Sequence, residues 1–162
     1  MHYGKRIDLI GMDQFNRLAY ARDHNFFPTL ENDNILVLGD VNLEPLKIPN
    51  PNQVTVINPL RSFLKAASEK QFNVIPKSSD FDFKIVKKKF SLAIVSVTRN
   101  RLETMANVGV AVSLLRSNGK LILEGAKTNG IEPAIKIISK VFPLVNILSK
   151  SHGKISLFSM LD

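Results

Sequence analysis

The sequence contains no cysteine and only three histidines in 162 residues. The absence of cysteine excludes a disulfide framework and a thiolate-bound metal. His2 and His24 have no partner at metal-ligand spacing, so we predict no metal site. A Cys-His pair is excluded, and so few histidines give no basis for a Ser-His-Asp arrangement. The sequence therefore offers no nucleophilic or metal-dependent centre.

Long hydrophobic runs are also missing. No apolar run approaches the ~20 residues that a membrane-spanning helix needs. The first eight residues lack the apolar core of a signal peptide. We therefore expect a cytoplasmic protein with no membrane association. The length, with 44% hydrophobic residues, predicts a single domain with its own core.

Acidic residues are scarce in the second half of the chain. Residues 1–80 carry nine Lys/Arg and nine Asp/Glu, whereas residues 81–162 carry thirteen Lys/Arg and five Asp/Glu, so the net charge of +8 lies there. Lysine and arginine side chains opposite phosphates release condensed counterions, which favours a nucleic-acid partner. Solubility alone is the other interpretation, and charge by itself leaves both open.

Apolar runs alternate with helical patterns along the chain. Strands are predicted over 35–38, 54–57, 72–75, 90–97, 121–123 and 154–158. Helices are predicted from an N-cap at Asp13, from Asn58-Pro59, over about 100–116 and over 131–141. In the third helix, Leu102, Met105, Gly109 and Val112 form the expected apolar face, and Asn118-Gly119 marks its end.

This alternation predicts an α/β fold. Helices should cover both faces of an open, mostly parallel sheet, giving a three-layer Rossmann-like sandwich. The last strand is the one expected to run antiparallel if any does.

Three short motifs in the second half carry further information. Thr98-Arg99-Asn100-Arg101 follows the strongest strand, Glu124-Gly-Ala-Lys-Thr-Asn-Gly-Ile131 follows the next, and His152-Gly153-Lys154 precedes the last. Together they make residues 90–158 similar to the N-terminal half of the ribosomal RNA guanine-N2 methyltransferases. The front of the chain matches that family only in the order of its elements.

The resemblance implies a class I methyltransferase-like fold without catalysis. In that family the N-terminal half is a degenerate copy of the catalytic domain that supports stability and RNA engagement. We therefore expect residues 1–162 to be one non-catalytic domain, the N-terminal half of a longer two-domain enzyme. S-adenosylmethionine is expected in the C-terminal half and not in this chain.

Partners follow from the same resemblance. The C-terminal catalytic domain of the same polypeptide is the first, and ribosomal RNA is the second. An apolar face left by the missing partner would allow the isolated domain to dimerise.

Three positions in the sequence agree with the loss of the cofactor site and of the motif that holds the target nitrogen. The first strand ends in Leu38-Gly39-Asp40, without a second glycine to open the turn for S-adenosylmethionine. The second ends at Asn58, where a methyltransferase carries a carboxylate for the ribose hydroxyls. The fourth is followed by Thr98-Arg99 instead of an Asn/Asp-Pro-Pro-aromatic motif. Two alternatives remain: a small methyltransferase with unorthodox cofactor residues, and a protein–protein interaction domain.

Candidate contacts for RNA or a partner lie in the basic loops. Lys127, Asn129 and Gly130 precede a predicted helix, where backbone N–H groups and an ammonium can meet a phosphate. Asn129-Gly130 is equally an ordinary turn dipeptide. The remaining candidates are charged or polar loop residues for which solvent exposure is the alternative: Arg99, Arg101, Lys87, Lys88, Lys89, His152 and Lys154.

Overall fold

The computed structural model describes residues 2–77 and 90–160, with side chains described from Met12 onward. Within these residues, helices alternate with strands. The helices are α1 (His2–Asp23), α2 (Arg61–Glu69), α3 (Arg101–Leu114) and α4 (Ile131–Ser139). The strands are β1 (Ile35–Leu38), β2 (Val54–Asn58), β3 (Asn73–Pro76), β4 (Phe90–Ser96), β5 (Leu115–Ala126), β6 (Leu144–Lys150) and β7 (Gly153–Ser159).

The strands form one sheet in the order β3-β2-β1-β4-β5-β7-β6. Strands β1 to β5 pair in parallel, and β7 runs antiparallel to both β5 and β6. The predicted mostly parallel sheet with an antiparallel last strand is confirmed. The chain order reverses between β1 and β4, so this is the switch point where open α/β sheets hold ligands.

Helices cover both faces of the sheet. On one face α3 and α4 bury Val108, Ala111 and Ile135 against the sheet. On the other, α1 and α2 bury Leu18 and Ala67. Strands covered on both sides cannot alternate apolar and polar residues, which is why β1 is buried at every position. The predicted three-layer sandwich is confirmed.

Two helix starts differ from the prediction. Helix α1 begins at His2 and not after a cap at Asp13, because a glycine such as Gly11 costs a helix only ~1 kcal/mol and does not end it. Helix α2 begins at Arg61, since Asn58 belongs to β2. The Asn58 Oδ1 accepts a hydrogen bond from the Leu60 N–H at 2.9 Å, which makes a turn ahead of the helix.

The predicted face and end of α3 are wrong. The helix ends at Leu114, and Asn118, with φ of +63°, lies within β5, at the irregularity in its pairing with β4. Its buried positions include Thr104 and Val108, whereas Leu102 is 83% exposed. Apolar residues surround most of this helix, so their spacing does not select one face. The Thr104 hydroxyl accepts from the Thr98 N–H at 3.1 Å, which allows a polar side chain to face the sheet.

Strand β6 was not predicted at all. It is the edge strand, and its apolar residues form only two short pairs, Leu144-Val145 and Ile147-Leu148, on either side of Asn146. The longer uninterrupted run that is typical of the central strands is therefore missing, although these apolar side chains are mostly exposed. Among the described residues, no helix is both long enough and apolar enough to cross a membrane.

Candidate functional site at the carboxyl edge of the sheet

The loops that follow β1, β2 and β4 enclose a cavity of about 480 Å³ at the switch point. We call it the switch-point cavity. Polar and charged side chains reach it from four loops or helices, and apolar contact comes from Ile57 and Phe63. The polar and charged residues are Asp40, Asn58, Lys77, Thr98, Glu103 and Asn107.

The turn after β1 brings two strand ends very close together. Gly39 has φ of +93°, a left-handed conformation that side chains other than glycine rarely adopt. A Cβ at this position would lie 3.2 Å from the Ser96 Cβ at the end of β4. The single glycine of this turn is therefore explained by strand packing alone.

We expect Gly39→Ala to lower the free energy of unfolding by about 1–3 kcal/mol, because the left-handed backbone and the contact with Ser96 both oppose a methyl group. Gly109→Ala is the matched control. Gly109 lies in α3 with nothing within 4 Å of an added Cβ, so that change should stabilise by about 0.5–1 kcal/mol. Urea denaturation measures both, and equal effects of the two substitutions would contradict the account.

Helix α1 fixes the loop after β1 through Gln14. The Gln14 Nε2 donates to the Asp40 carbonyl at 2.9 Å and to Glu124 Oε1 at 2.8 Å. Its Oε1 accepts from the Asn42 N–H at 2.9 Å. Two peptide groups of the loop are thereby engaged by the protein itself, which leaves fewer of them to contact a ligand.

A buried ion pair anchors the same helix to the sheet. Arg17 Nε lies 3.2 Å from Glu124 Oε2, and the two side chains are 5% and 1% exposed. The Arg17 Nη1 also donates to the Ser151 carbonyl at 2.9 Å. Together with Gln14, this cluster connects α1, the end of β5 and the β6–β7 turn, so we call it the α1 anchor.

The end of β2 carries an amide instead of a carboxylate. Asn58 is buried, and its Oδ1 already accepts from the Leu60 N–H. Beside it, the half-buried Lys77 donates from Nζ to the Asn107 Oδ1 at 2.9 Å. The deeper wall of the switch-point cavity thus presents an engaged amide and a cation, while the carboxylates of Asp40 and Glu103 belong to exposed residues.

A second cavity of about 230 Å³ lies between the loops that follow β4 and β5. We call it the arginine cavity, since Arg99 and Arg101 line it. The Arg99 Nε lies 3.4 Å from Asn129 Oδ1 and so connects the two loops. Asn129 belongs to a 3₁₀ turn, Lys127–Asn129, which leads into α4 through Gly130 at φ of +87°.

A third, more open depression of about 360 Å³ lies on the other side of that turn. We call it the lysine depression, because Lys127, Lys150 and Lys154 line it together with His152 and Glu132. The Lys127 N–H donates to the His152 carbonyl at 2.9 Å and joins the two loops. The Lys150 Nζ also lies 5.0 Å from the centre of the Tyr20 ring.

The candidate residues from the sequence thus fall into two neighbouring groups. Arg99, Arg101, Asn129 and Gly130 line the arginine cavity, and Lys127, His152 and Lys154 line the lysine depression. Their carboxyl-edge loops meet because parallel strands end on the same side of the sheet. Nothing in the structure tests their contact with RNA. Lys87, Lys88 and Lys89 lie outside the described residues.

The sequence analysis missed the α1 anchor and the pair of Lys77 and Asn107. The one available signal was Glu124, a charge at the end of an otherwise apolar strand. Among the described residues, no cluster of three or more His, Asp or Glu side chains has the arrangement of a metal site. The exposed apolar residues Val141, Leu144, Val145 and Ile147 gather on and before the edge strand β6, and dimerisation through them remains a prediction.

Comparison with known proteins shows the fold. The chain matches no protein-family model and no curated protein sequence. Among solved structures, the 16S rRNA N2 G1207 methyltransferase RsmC of T. thermophilus, in complex with AdoMet and guanosine, is similar with a TM-score of 0.63 and 14% identity. The match covers 88% of this chain and 39% of that one, so the chain spans about two fifths of the length of that enzyme.

Two other solved structures are similar over most of their own length. The N-methyltransferase NodS of Bradyrhizobium japonicum WM9, in complex with S-adenosyl-l-homocysteine, gives a TM-score of 0.68 at 13% identity, over 91% of this chain and 89% of that one. An rRNA methylase from Streptococcus thermophilus gives 0.60 at 12% identity, over 88% and 95%. The chain therefore has the fold of the class I S-adenosylmethionine-dependent methyltransferases, as the sequence predicted.

Proposed function

We propose that this chain is a non-catalytic methyltransferase-fold module of a ribosomal RNA guanine-N2 methyltransferase, which supports a C-terminal catalytic domain and contacts RNA along its carboxyl edge. One observation carries the proposal: the switch-point cavity has the position of a cofactor site but the wrong side chains for one. The residues that replace them serve the protein's own packing.

The residues of the switch-point cavity do not match S-adenosylmethionine. A ribose diol is held by a carboxylate that accepts both hydroxyls, whereas the acceptor atom of Asn58 is engaged by the Leu60 N–H. The cofactor carries a sulfonium cation, which would meet a like charge at the half-buried Lys77, whereas the two carboxylates of the lining, Asp40 and Glu103, belong to exposed residues. Gln14 already engages peptide groups of the loop after β1.

The position after β4 supports the same conclusion. An amino methyltransferase needs an acceptor there for the N–H groups of the target amine. This chain has Thr98, whose N–H donates to the Thr104 hydroxyl, followed by the cationic Arg99. A guanidinium has no acceptor atom, so Thr98 is left to accept from an amino group, and its hydroxyl and carbonyl already bond to Asn100 and Thr104.

Positive charge on the carboxyl edge supports the RNA part of the proposal. Arg99 and Arg101 at one cavity and Lys127, Lys150 and Lys154 at its neighbour form what we call the basic strip. The turn Lys127–Asn129 belongs to both cavities and makes the strip continuous. Closely spaced cations suit a chain of phosphates better than they suit one small anion. The likeness to T. thermophilus RsmC, an rRNA methyltransferase by name, agrees with such a partner.

The salt dependence of RNA affinity tests the proposal. We expect the chain to bind a single-stranded RNA oligomer with an affinity that falls steeply between about 50 and 200 mM salt, because each neutralised phosphate contributes roughly 0.7 to the slope of log K against log salt. Fluorescence anisotropy with a labelled oligomer gives the affinity and its dependence on salt concentration. Absent binding, or binding with a flat salt dependence, would contradict the RNA contact and favour a protein–protein role.

A small methyltransferase with unorthodox cofactor residues is the second candidate. The observation that favours it is the likeness to NodS over 89% of the length of that protein, together with an open cavity at the switch point. Binding of S-adenosylmethionine by this chain separates the two candidates.

A further inference from the structure

We infer that the arginine cavity holds one unpaired base of a single-stranded RNA, while the flanking phosphates lie on the basic strip. The inference rests on the proposed RNA contact and goes further, because it assigns a particular cavity to the base. It differs from phosphate binding in chemistry, since a base needs a bounded, partly apolar space and a phosphate needs only cations.

The size of the cavity suits one base. Its volume is about 230 Å³, below the roughly 300–1,000 Å³ of sites for drug-sized ligands and about half of the neighbouring switch-point cavity. A base that is still paired cannot enter a cavity between two loops without leaving its duplex. The shape therefore favours single strands, loops or bulges, in which bases are splayed out.

The walls combine apolar contact with polar groups. Val97, Met105, Ala134 and Ile137 give an apolar floor between β4, α3 and α4. Hydroxyl and amide groups of Thr98, Thr128 and Asn129 line the same cavity. These groups both donate and accept hydrogen bonds, as the edge of a base requires. The flat face of the base can pack against the apolar floor.

Residues at the rim of the cavity supply positive charge for the phosphates of RNA. Arg99 and Arg101 are exposed residues that also line the cavity. A guanidinium can stack on a base and pair with a phosphate at the same time, which an ammonium cannot. The hydrogen bond from Arg99 to Asn129 holds one of them across the two loops. On one side of the cavity the basic strip continues to Lys127, so a strand leaving the cavity meets further cations.

Filling the cavity without changing charge tests the inference. Ala134→Leu puts a branched side chain into the cavity, and Thr128→Leu does so from an exposed position in case the first variant fails to fold. Ala106→Leu is the control. Ala106 is an exposed residue of α3, the helix that borders the cavity, but Ala106 itself does not line the cavity. Thermal melting of each variant checks the fold.

The ligands are a single-stranded RNA hexamer, an abasic oligomer of the same length and a duplex. We expect Ala134→Leu or Thr128→Leu to weaken hexamer binding about tenfold, in line with what stacking contributes per base, with the salt slope unchanged. Binding of the abasic oligomer and of the duplex should stay the same, and Ala106→Leu should change nothing. A free nucleoside monophosphate should compete far less well than the hexamer.

Three results would overturn the inference. The first is an unchanged affinity for the hexamer in both leucine variants. That result would leave salt-dependent RNA binding and the proposed function intact. The second is competition by the monophosphate as strong as that by the hexamer, which would assign the cavity to a free nucleotide. The third is no RNA binding at all, and only that result would remove the proposed function as well.

Discussion

Glu124→Ala is expected to lower the free energy of unfolding by about 3–5 kcal/mol, because it leaves the guanidinium of Arg17 buried without its counter-charge. Both side chains are almost fully enclosed, at 5% and 1% exposure, so water cannot replace the lost carboxylate. The same substitution removes one of the two acceptors of Gln14 Nε2 and leaves only the Asp40 carbonyl. Since domains of this size are stable by only about 5–15 kcal/mol, the loss should be large in urea denaturation.

A variant without either charge separates two contributions to the free energy of unfolding: the penalty of burying one unpaired charge and the net contribution of the ion pair. Arg17→Met combined with Glu124→Leu should recover much of the loss, since buried ion pairs can often be replaced by apolar residues at little cost. A single Glu124→Ala variant that loses less than about 1 kcal/mol would contradict the account. So would a double variant as unstable as the single one, because the effect would then come from packing and not from charge.

Lys127→Gln combined with Lys154→Gln is expected to weaken RNA binding roughly tenfold or more at low salt, and to reduce the salt slope by about 1.4, the value for two single-strand phosphates. Both lysines line the same depression, on the side of the basic strip away from the arginines. Glutamine keeps most of the length of the side chain and removes the ammonium. Anisotropy titrations over a series of salt concentrations give the affinity and the slope together.

Lys65→Gln combined with Lys70→Gln is the matched control for charge. Both residues are exposed on or just after α2, away from the basic strip, and the change in net charge is identical. If RNA binding used only the overall charge of the protein, the two double variants would weaken it equally. That result would contradict a defined basic strip, whereas an effect confined to Lys127 and Lys154 supports it.

The central strands were predictable because burial on both faces produces a simple sequence pattern. Ile35–Leu38 and Val54–Asn58 are covered on both faces and read as short, nearly continuous apolar runs. In strand β6, at the exposed edge of the sheet, Asn146 divides the apolar residues into two pairs, so no run of comparable length indicates a strand. The buried face of helix α3 was predicted wrongly for a different reason. The helix is apolar on most sides, so only contacts with the sheet decide that Thr104 faces inward and Leu102 outward.

The candidate site was predictable in part. Topology alone brings the loops after β4 and β5 together, so Arg99 and Asn129 could be expected near each other from the strand order. The α1 anchor could not be predicted, because Arg17 and Glu124 are 107 positions apart and neither has a local pattern that points to the other. The side chains that fix the loop after β1 are likewise known only from the structure.

The fold and the chemistry of this protein depend on different residues. The class I methyltransferase topology needs buried strands, a tight turn at Gly39 and helices on both faces, and none of these depends on the cofactor. Function resides in the side chains at the carboxyl edge, which can change independently of the sheet.

Calorimetric titration of the chain with S-adenosylmethionine decides whether the switch-point cavity binds the cofactor. The account predicts no saturable heat up to millimolar cofactor, because Asn58 offers no free carboxylate acceptor and Lys77 opposes the sulfonium. A dissociation constant in the micromolar range would contradict it, and would make this chain a cofactor-binding methyltransferase whose site is built from unorthodox residues.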